Sequence, residues 1–163
     1  MGMAIIEHIT VGSGGAASIT FASIPGTFTD LKLVLSSRSS SNGVVDDPVV
    51  SFNNSTSNFS GRRMYGDGSG RFSTATTRFI ANTSGNGSTT STFGNASLYI
   101  PNYASGNFKS FSGDGVSENN ATTAYQSIVA GLWSQTAAIT TITISFGSNS
   151  FREYSTASLY GIV

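Results

Sequence analysis

Eight Lys/Arg, eight Asp/Glu, a single histidine (His8) and no cysteine are all that this 163-residue chain offers for acid, base or ion chemistry. One imidazole makes a Ser-His-Asp relay or a histidine metal cluster hard to assemble, and the absence of thiols excludes thiolate metal sites and a disulfide framework. Glycoside hydrolysis needs two carboxylates across a cleft. The candidates Glu7, Asp30, Asp46, Asp47, Asp67, Asp114, Glu118 and Glu153 are scattered, and nothing singles out a pair. No G-x-S-x-G elbow is present for a serine nucleophile. Gly66-Asp67-Gly68-Ser69-Gly70 and Gly113-Asp114-Gly115 offer one carboxylate each. A calcium ion takes six or more oxygens, so both are read as turn aspartates. Gly12-Ser13-Gly14-Gly15-Ala16-Ala17 imitates a dinucleotide fingerprint, but the strand-like Ser18-Ile19-Thr20-Phe21 follows where a phosphate would require a helix N-terminus. A hairpin loop is the expectation there. His8 lies in an alternating run and takes the role of a hydrogen-bonded or solvated strand histidine. These observations predict a protein that is not an enzyme and that holds no cofactor and no metal.

The main local charge signal is Arg62-Arg63-Met64-Tyr65 with Arg71 and Arg78, four of the six arginines within 17 residues. Arg and Tyr are favoured at protein interfaces, so one reading is a docking patch. The other is that these arginines pair with Asp46, Asp47 or Asp67. The formal net charge is zero and only 10% of residues are charged. That leaves no electrostatic footprint for nucleic acid or an anionic membrane surface, and neither is expected as a partner. Met1-Gly2-Met3-Ala4-Ile5-Ile6-Glu7 lacks the cationic start and long apolar stretch of a signal peptide, and no apolar run approaches membrane length. Asn102-Tyr103 and Asn107-Phe108 have the composition of a sugar platform, which core packing and turn chemistry explain as well.

The elements that must position these residues are strands. A Ser/Thr/Asn/Gly-rich chain invites a reading of disorder, but 11% aromatic residues favour a packed core. Apolar residues fall in short stretches, often with period two, separated by Gly/Asn/Ser clusters. Residues 4–11 place Ile5, Glu7, Ile9 and Val11 on one face and Ile6, His8 and Thr10 on the other, and 17–23 follow as the second arm of a hairpin. Leu31, Leu33 and Leu35 face inward from 31–38, with Lys32 and Arg38 opposite. Further strands are expected at 49–53, 59–65, 78–80, 96–100, 108–116, 139–146 and 157–162. Residues 82–92, almost wholly Ser/Thr/Gly/Asn, read as a mobile loop or an exposed edge. Tyr125, Ile128, Val129, Leu132 and Trp133 fit a helical stripe or a strand buried on both faces. Gly131 and the absence of charge from 121 to 151 favour the strand. The sum is one all-β domain over 1–163, a jelly-roll-like antiparallel β-sandwich of about nine to eleven short strands.

Thr10-Val11-Gly12-Ser13-Gly14-Gly15-Ala16-Ala17-Ser18-Ile19, then Ile24-Pro25 and Thr29-Asp30-Leu31, resemble a family of small virion structural proteins of tailed bacteriophages, of the cyanophage and marine-phage type. The resemblance continues through Leu98-Tyr99-Ile100-Pro101-Asn102-Tyr103, Glu118-Asn119-Asn120-Ala121-Thr122, Ala130-Gly131-Leu132-Trp133, Ala138-Ile139-Thr140 and Leu159-Tyr160-Gly161-Ile162. It implies a β-sandwich on the virion exterior: a capsid decoration (cement) protein bound to the major capsid protein, commonly as a trimer, with a tail or fibre module for receptor or carbohydrate binding as the alternative. It brings no catalytic residues. Under this reading the apolar N-terminal strand around Ile5, Ile6 and Ile9, or the region of Arg62, Arg63, Tyr65, Arg71 and Arg78, contacts the shell or a sister subunit, with the arginine region favoured for the shell. A fibre tip would draw instead on the 82–92 and 102–109 loops. No heptads or repeats supply a shaft, which favours the decoration role.

Overall fold

In the computed structural model, which describes residues 2–121 and 123–163, the chain is all-β. Its strands are β1 (Met3–Thr10), β2 (Ser18–Phe21), β3 (Asp30–Ser37), β4 (Val45–Asp46), β5 (Val49–Phe52), β6 (Phe59–Gly66), β7 (Arg71–Thr76), β8 (Thr83–Ser84), β9 (Gly94–Ile100), β10 (Lys109–Glu118), β11 (Ala124–Trp133), β12 (Ile142–Ser145) and β13 (Thr156–Ile162). An antiparallel eight-stranded sheet runs β1-β13-β3-β9-β10-β11-β6-β7, a three-stranded sheet runs β2-β12-β5, and β4 pairs with β8.

Alternation decides which face is covered. Leu31, Leu33, Leu35, Leu98, Ile100 and Leu159 of the large sheet are sealed against Ile19, Phe21, Val50, Phe52, Ile142 and Ile144 of the small one, all at 2% exposure or less. Fully burying one such side chain stabilises by roughly 1.5–3 kcal/mol. Phe52 crosses between the layers, its ring centroid 5.5 Å from Phe59, 5.8 Å from Phe111 and 5.6 Å from Trp133. The small sheet turns its hydroxyls to solvent, where Thr20 and Thr143 hydrogen-bond at 3.0 Å.

Several expectations from sequence are corrected. Residues 4–11 and 17–23 do not form a hairpin: β1 pairs with β13 and β2 with β12, so the loop between them carries the chain from one sheet to the other. That crossing needs Gly15, which has φ +77° and a backbone so close to the Phe151 carbonyl that a Cβ would lie 2.4 Å from its oxygen. The face assignment in β1 also fails, because a bulge between Ile5 and Glu7 shifts the register. Ile5 lies opposite Tyr160 on the outer face, while Ile6 and Ile9 pack against the core. Residues 78–80 are not a strand; Phe79 makes only an isolated bridge to Val49, and β4, β7 and β8 form where no strand is expected. Asp114 sits in mid-β10 rather than in a turn. Its flanking glycines are a packing requirement, since a Cβ on Gly113 would lie 2.3 Å from the Ile80 carbonyl oxygen. Residues 124–133 form the expected strand, but only one face is buried, with Ile128 59% exposed on the other.

The 82–92 tract departs furthest from expectation. Asn82, Thr83, Ser84 and Ser88 are buried, and the guanidinium of Arg38, also buried, organises the rest. Its Nη1 donates to the carbonyls of Thr89 (2.8 Å) and Thr92 (3.0 Å), and its Nη2 to those of Asn86 (3.0 Å) and Ser88 (2.8 Å). Charge-assisted bonds of this kind tie down backbone that has no strand partner. Lys109, 1% exposed, does the same for a neighbouring loop by donating to the carbonyls of Ser105 and Thr136, and burial lowers its ammonium pKa. Tyr103 is likewise a core residue, its hydroxyl donating to the Pro25 carbonyl.

Candidate functional site

β6 and β7 lie at the edge of the large sheet, and every residue of this hairpin is exposed or half-buried. Two-residue alternation gives its faces different compositions. Arg63 and Tyr65 point to the side of the second layer, and Arg62 and Met64 to the opposite, outer side.

On the inner side the Arg63 guanidinium lies 4.9 Å from the Tyr65 ring centroid and 4.5 Å from that of Phe79. Its Nη1 donates to Asp47 Oδ2 at 2.8 Å and its Nε to Thr74 Oγ1 at 3.1 Å. Tyr65 stacks in turn on Phe72 at 5.0 Å and lies 6.3 Å from Tyr125. Asp47 also accepts from Asn82 Nδ2 at 2.7 Å. This column of rings and charge fixes the hairpin where the apolar core does not reach. Arg78 ties the segment after β7 to β5, donating to the Val50 carbonyl at 3.2 Å. Of the two readings of the arginine cluster, pairing with an aspartate holds for Arg63.

On the outer side, Met64 of β6 lies directly opposite Ile128 of β11, and Ile128 opposite Asp114 of β10. Met64 is 55% exposed and Val116 38%. With Arg71 and Gln126 they line a shallow depression of about 410 Å³. Arg62 projects from the same face opposite Ala130, and neither Arg62 nor Arg71 has an ion-pair partner among the described residues. An apolar centre bordered by free guanidinium groups has the composition of a protein-docking surface. Asp114 is already engaged, accepting from Ser97 Oγ at 2.5 Å.

The opposite edge of the sheet carries a second exposed apolar strip, with Met3 at 57%, Ile5 at 58% and Val163 at 61%. Ile6 and Ile9 are turned inward there. His8 bonds Ser158 Oγ at 2.7 Å and Thr10 Oγ1 at 3.2 Å, both contacts within the outer face of β1 and β13. Among the described residues no group of three or more His, Asp or Glu side chains is arranged to hold a metal ion.

The structure therefore divides the six residues of the arginine signal. Arg63 and Tyr65 hold the hairpin, Arg78 ties the following segment to β5, Arg62 and Arg71 face solvent, and Met64 joins the latter pair. Sequence reasoning missed Ile128 and Val116. Ile128 is hidden in the run Ser127-Ile128-Val129-Ala130, where two adjacent aliphatics conceal which one faces outward. No protein-family model matches this chain, and no curated protein or solved structure matches it either.

Proposed function

We propose that this protein is a non-enzymatic structural component of a tailed-phage virion, a capsid decoration protein that binds the outer surface of the major capsid protein as an oligomer, most simply a trimer. Support comes from the resemblance in sequence and from one structural observation: the outer sheet face presents Met64, Ile128 and Val116 uncovered, with Arg62 and Arg71 beside them. A decoration protein needs two adhesive surfaces on a rigid body, one for the shell and one for a sister subunit. The hairpin face supplies the first, and the β1 edge with Met3 and Ile5 the second. Binding to the assembled lattice and not to its dissociated parts stabilises the particle by mass action, and asks for no chemistry beyond burial and hydrogen bonding.

The test is light scattering of the purified protein, followed by co-sedimentation with tail-free, DNA-free shells. A trimer that binds shells stoichiometrically, and loses that binding in Ile128→Asp while keeping its thermal midpoint, supports the reading. Sedimentation with tails or host cells but not with shells overturns it in favour of a tail-associated role.

A further inference from the structure

A cavity of about 740 Å³ lies away from the docking face, between the 86–92 segment and the turn at 150–154. Small-molecule sites fall in the same size range. We propose that this cavity binds an acidic saccharide, a sugar bearing a carboxylate, with Tyr154 as the stacking face and Arg152 as the carboxylate partner.

Four observations lead there. First, the walls are preorganised. Arg38 gathers the 86–92 carbonyls on one side, and on the other Tyr154 N–H donates to the Val11 carbonyl at 2.9 Å and Ser155 N–H to that of Arg152 at 3.1 Å. Second, Tyr154 is the most exposed large side chain with an aromatic ring, at 69%, and it takes part in none of the aromatic pairs. Its backbone is held at φ +69°, in the left-handed region that bulky residues avoid. Strain of this kind persists where surrounding structure imposes it, and it concentrates at ligand clamps. Third, the lining is rich in neutral hydroxyl and amide groups, with Ser40, Asn86, Thr90 and Ser91 among them. Such groups match sugar hydroxyls in both donor and acceptor roles.

Fourth, the charge is unbalanced. Arg38 and Arg152 bring two guanidinium groups to the cavity against the single carboxylate of Glu153, and neither arginine forms an ion pair among the described residues. Burial first, and then the like charge of Arg152, lowers the Arg38 pKa. Both Nη groups of Arg38 are engaged by carbonyls, and Arg38 forms the wall. Arg152 is exposed and has one donor committed, Nη2 to Asn86 Oδ1 at 3.0 Å. The remaining face of its planar fork suits a carboxylate.

The experiment is saturation-transfer NMR and calorimetry with trigalacturonate and 3′-sialyllactose, against the neutral maltotriose and lactose. Expected are dissociation constants of about 0.1–1 mM for the acidic sugars, weakening as sodium chloride is raised, and at least about tenfold weaker binding of the neutral ones. Arg152→Gln and Tyr154→Gly should each weaken binding about tenfold or more. The thermal midpoint of Tyr154→Gly should hold or rise, because glycine accepts the left-handed backbone. No saturation transfer from either acidic sugar at about 10 mM, equal binding of the neutral sugars, or affinities unchanged in both variants would each overturn the proposal. Shell binding is read separately and bears on neither outcome.

Discussion

The centre of the eight-stranded sheet and its β6–β7 edge share the same alternating backbone and differ in what lies over them. In β3, β9 and β13, inward residues such as Leu33, Leu98 and Leu159 are sealed beneath the small sheet. In β7 no residue is buried, although its side chains still point to alternate faces of the sheet. At the centre stability comes from area removed from water, which is non-directional and large. At the edge it comes from a few directional contacts: Arg63 between two rings, its pair with Asp47, and the stack of Tyr65 on Phe72. The edge thereby keeps two sides free to differ, and its outer side carries exposed Met64, Arg62 and Arg71 at little cost to folding. Recognition is proposed where burial is least, on a frame supplied by the region where burial is greatest.

Mutation should break this contrast most visibly at the centre. Leu98→Ala removes a fully buried side chain from the middle of the large sheet and should cost about 2–5 kcal/mol in chemical denaturation. Met64→Ala on the outer side of the hairpin should stay within about 0.5 kcal/mol. A comparable loss at both positions would mean that the hairpin face is covered in the folded protein in solution.

The next effect lies at Arg38, which holds backbone carbonyls from within the fold, where Arg63 holds side chains at the edge. Arg38→Met leaves four carbonyls of the 86–92 segment without their charged donor. Because the segment can open to water, the loss should be about 2–3 kcal/mol. Amide exchange at 86–92 should accelerate while that of β3 and β9 follows only the global change. Arg63→Met should be smaller, about 1–2 kcal/mol, since a half-buried ion pair at the surface and cation–π contacts are each worth little alone. Its signature is local: the Tyr65 and Phe72 ring resonances should lose their stacking shifts. If Arg63→Met instead abolishes shell binding without moving those resonances, the arginine belongs to the docking surface and not to its support.

Sequence made the covered region legible and left the edge obscure, for a physical reason. Leu31, Leu33 and Leu35 announce a strand with one buried face because burial selects residue type at every second position. The β6–β7 edge is under no such selection, so Arg71 to Thr76 carries no apolar rhythm and the strand was not foreseen. Pairing partners were equally hidden. β1 is joined to β2 by a short loop, yet lies beside β13 from the other end of the chain order, a choice made by long-range burial. Arg38 shows the same limit at a single residue. Its position in a strand pattern predicts an outward, solvated side chain, and only the later 86–92 segment folding over it makes it a buried anchor. The arginine cluster was visible as composition; which guanidinium groups are free depends on Asp47 and Phe79, whose places no spacing rule provides.

The smallest effect, and the sharpest on locality, lies at Asp67 in the turn joining β6 to β7. Its Oδ1 accepts from Ser69 Oγ (2.8 Å), Gly70 N–H (2.7 Å) and Ser69 N–H (2.9 Å), and these bonds hold the carboxyl pKa below its ordinary 3.8. The unfolded chain therefore takes up this proton at a higher pH than the folded turn does. Stability from Asp67 is complete above about pH 4 and is lost as pH falls through the folded value. Asp67 is half-buried at the tip of the hairpin and its partners all lie within the turn, so the change should be confined to the turn. Amide shifts of Ser69 and Gly70 should titrate together at a midpoint below 3.8, while the methyl shifts of Leu98 stay fixed until global acid unfolding. Asp67→Asn should remove the titration. A transition seen simultaneously at Gly70 and Leu98 would show that hairpin and centre unfold as one unit, and the division between a stabilising core and an independently anchored docking edge would fall.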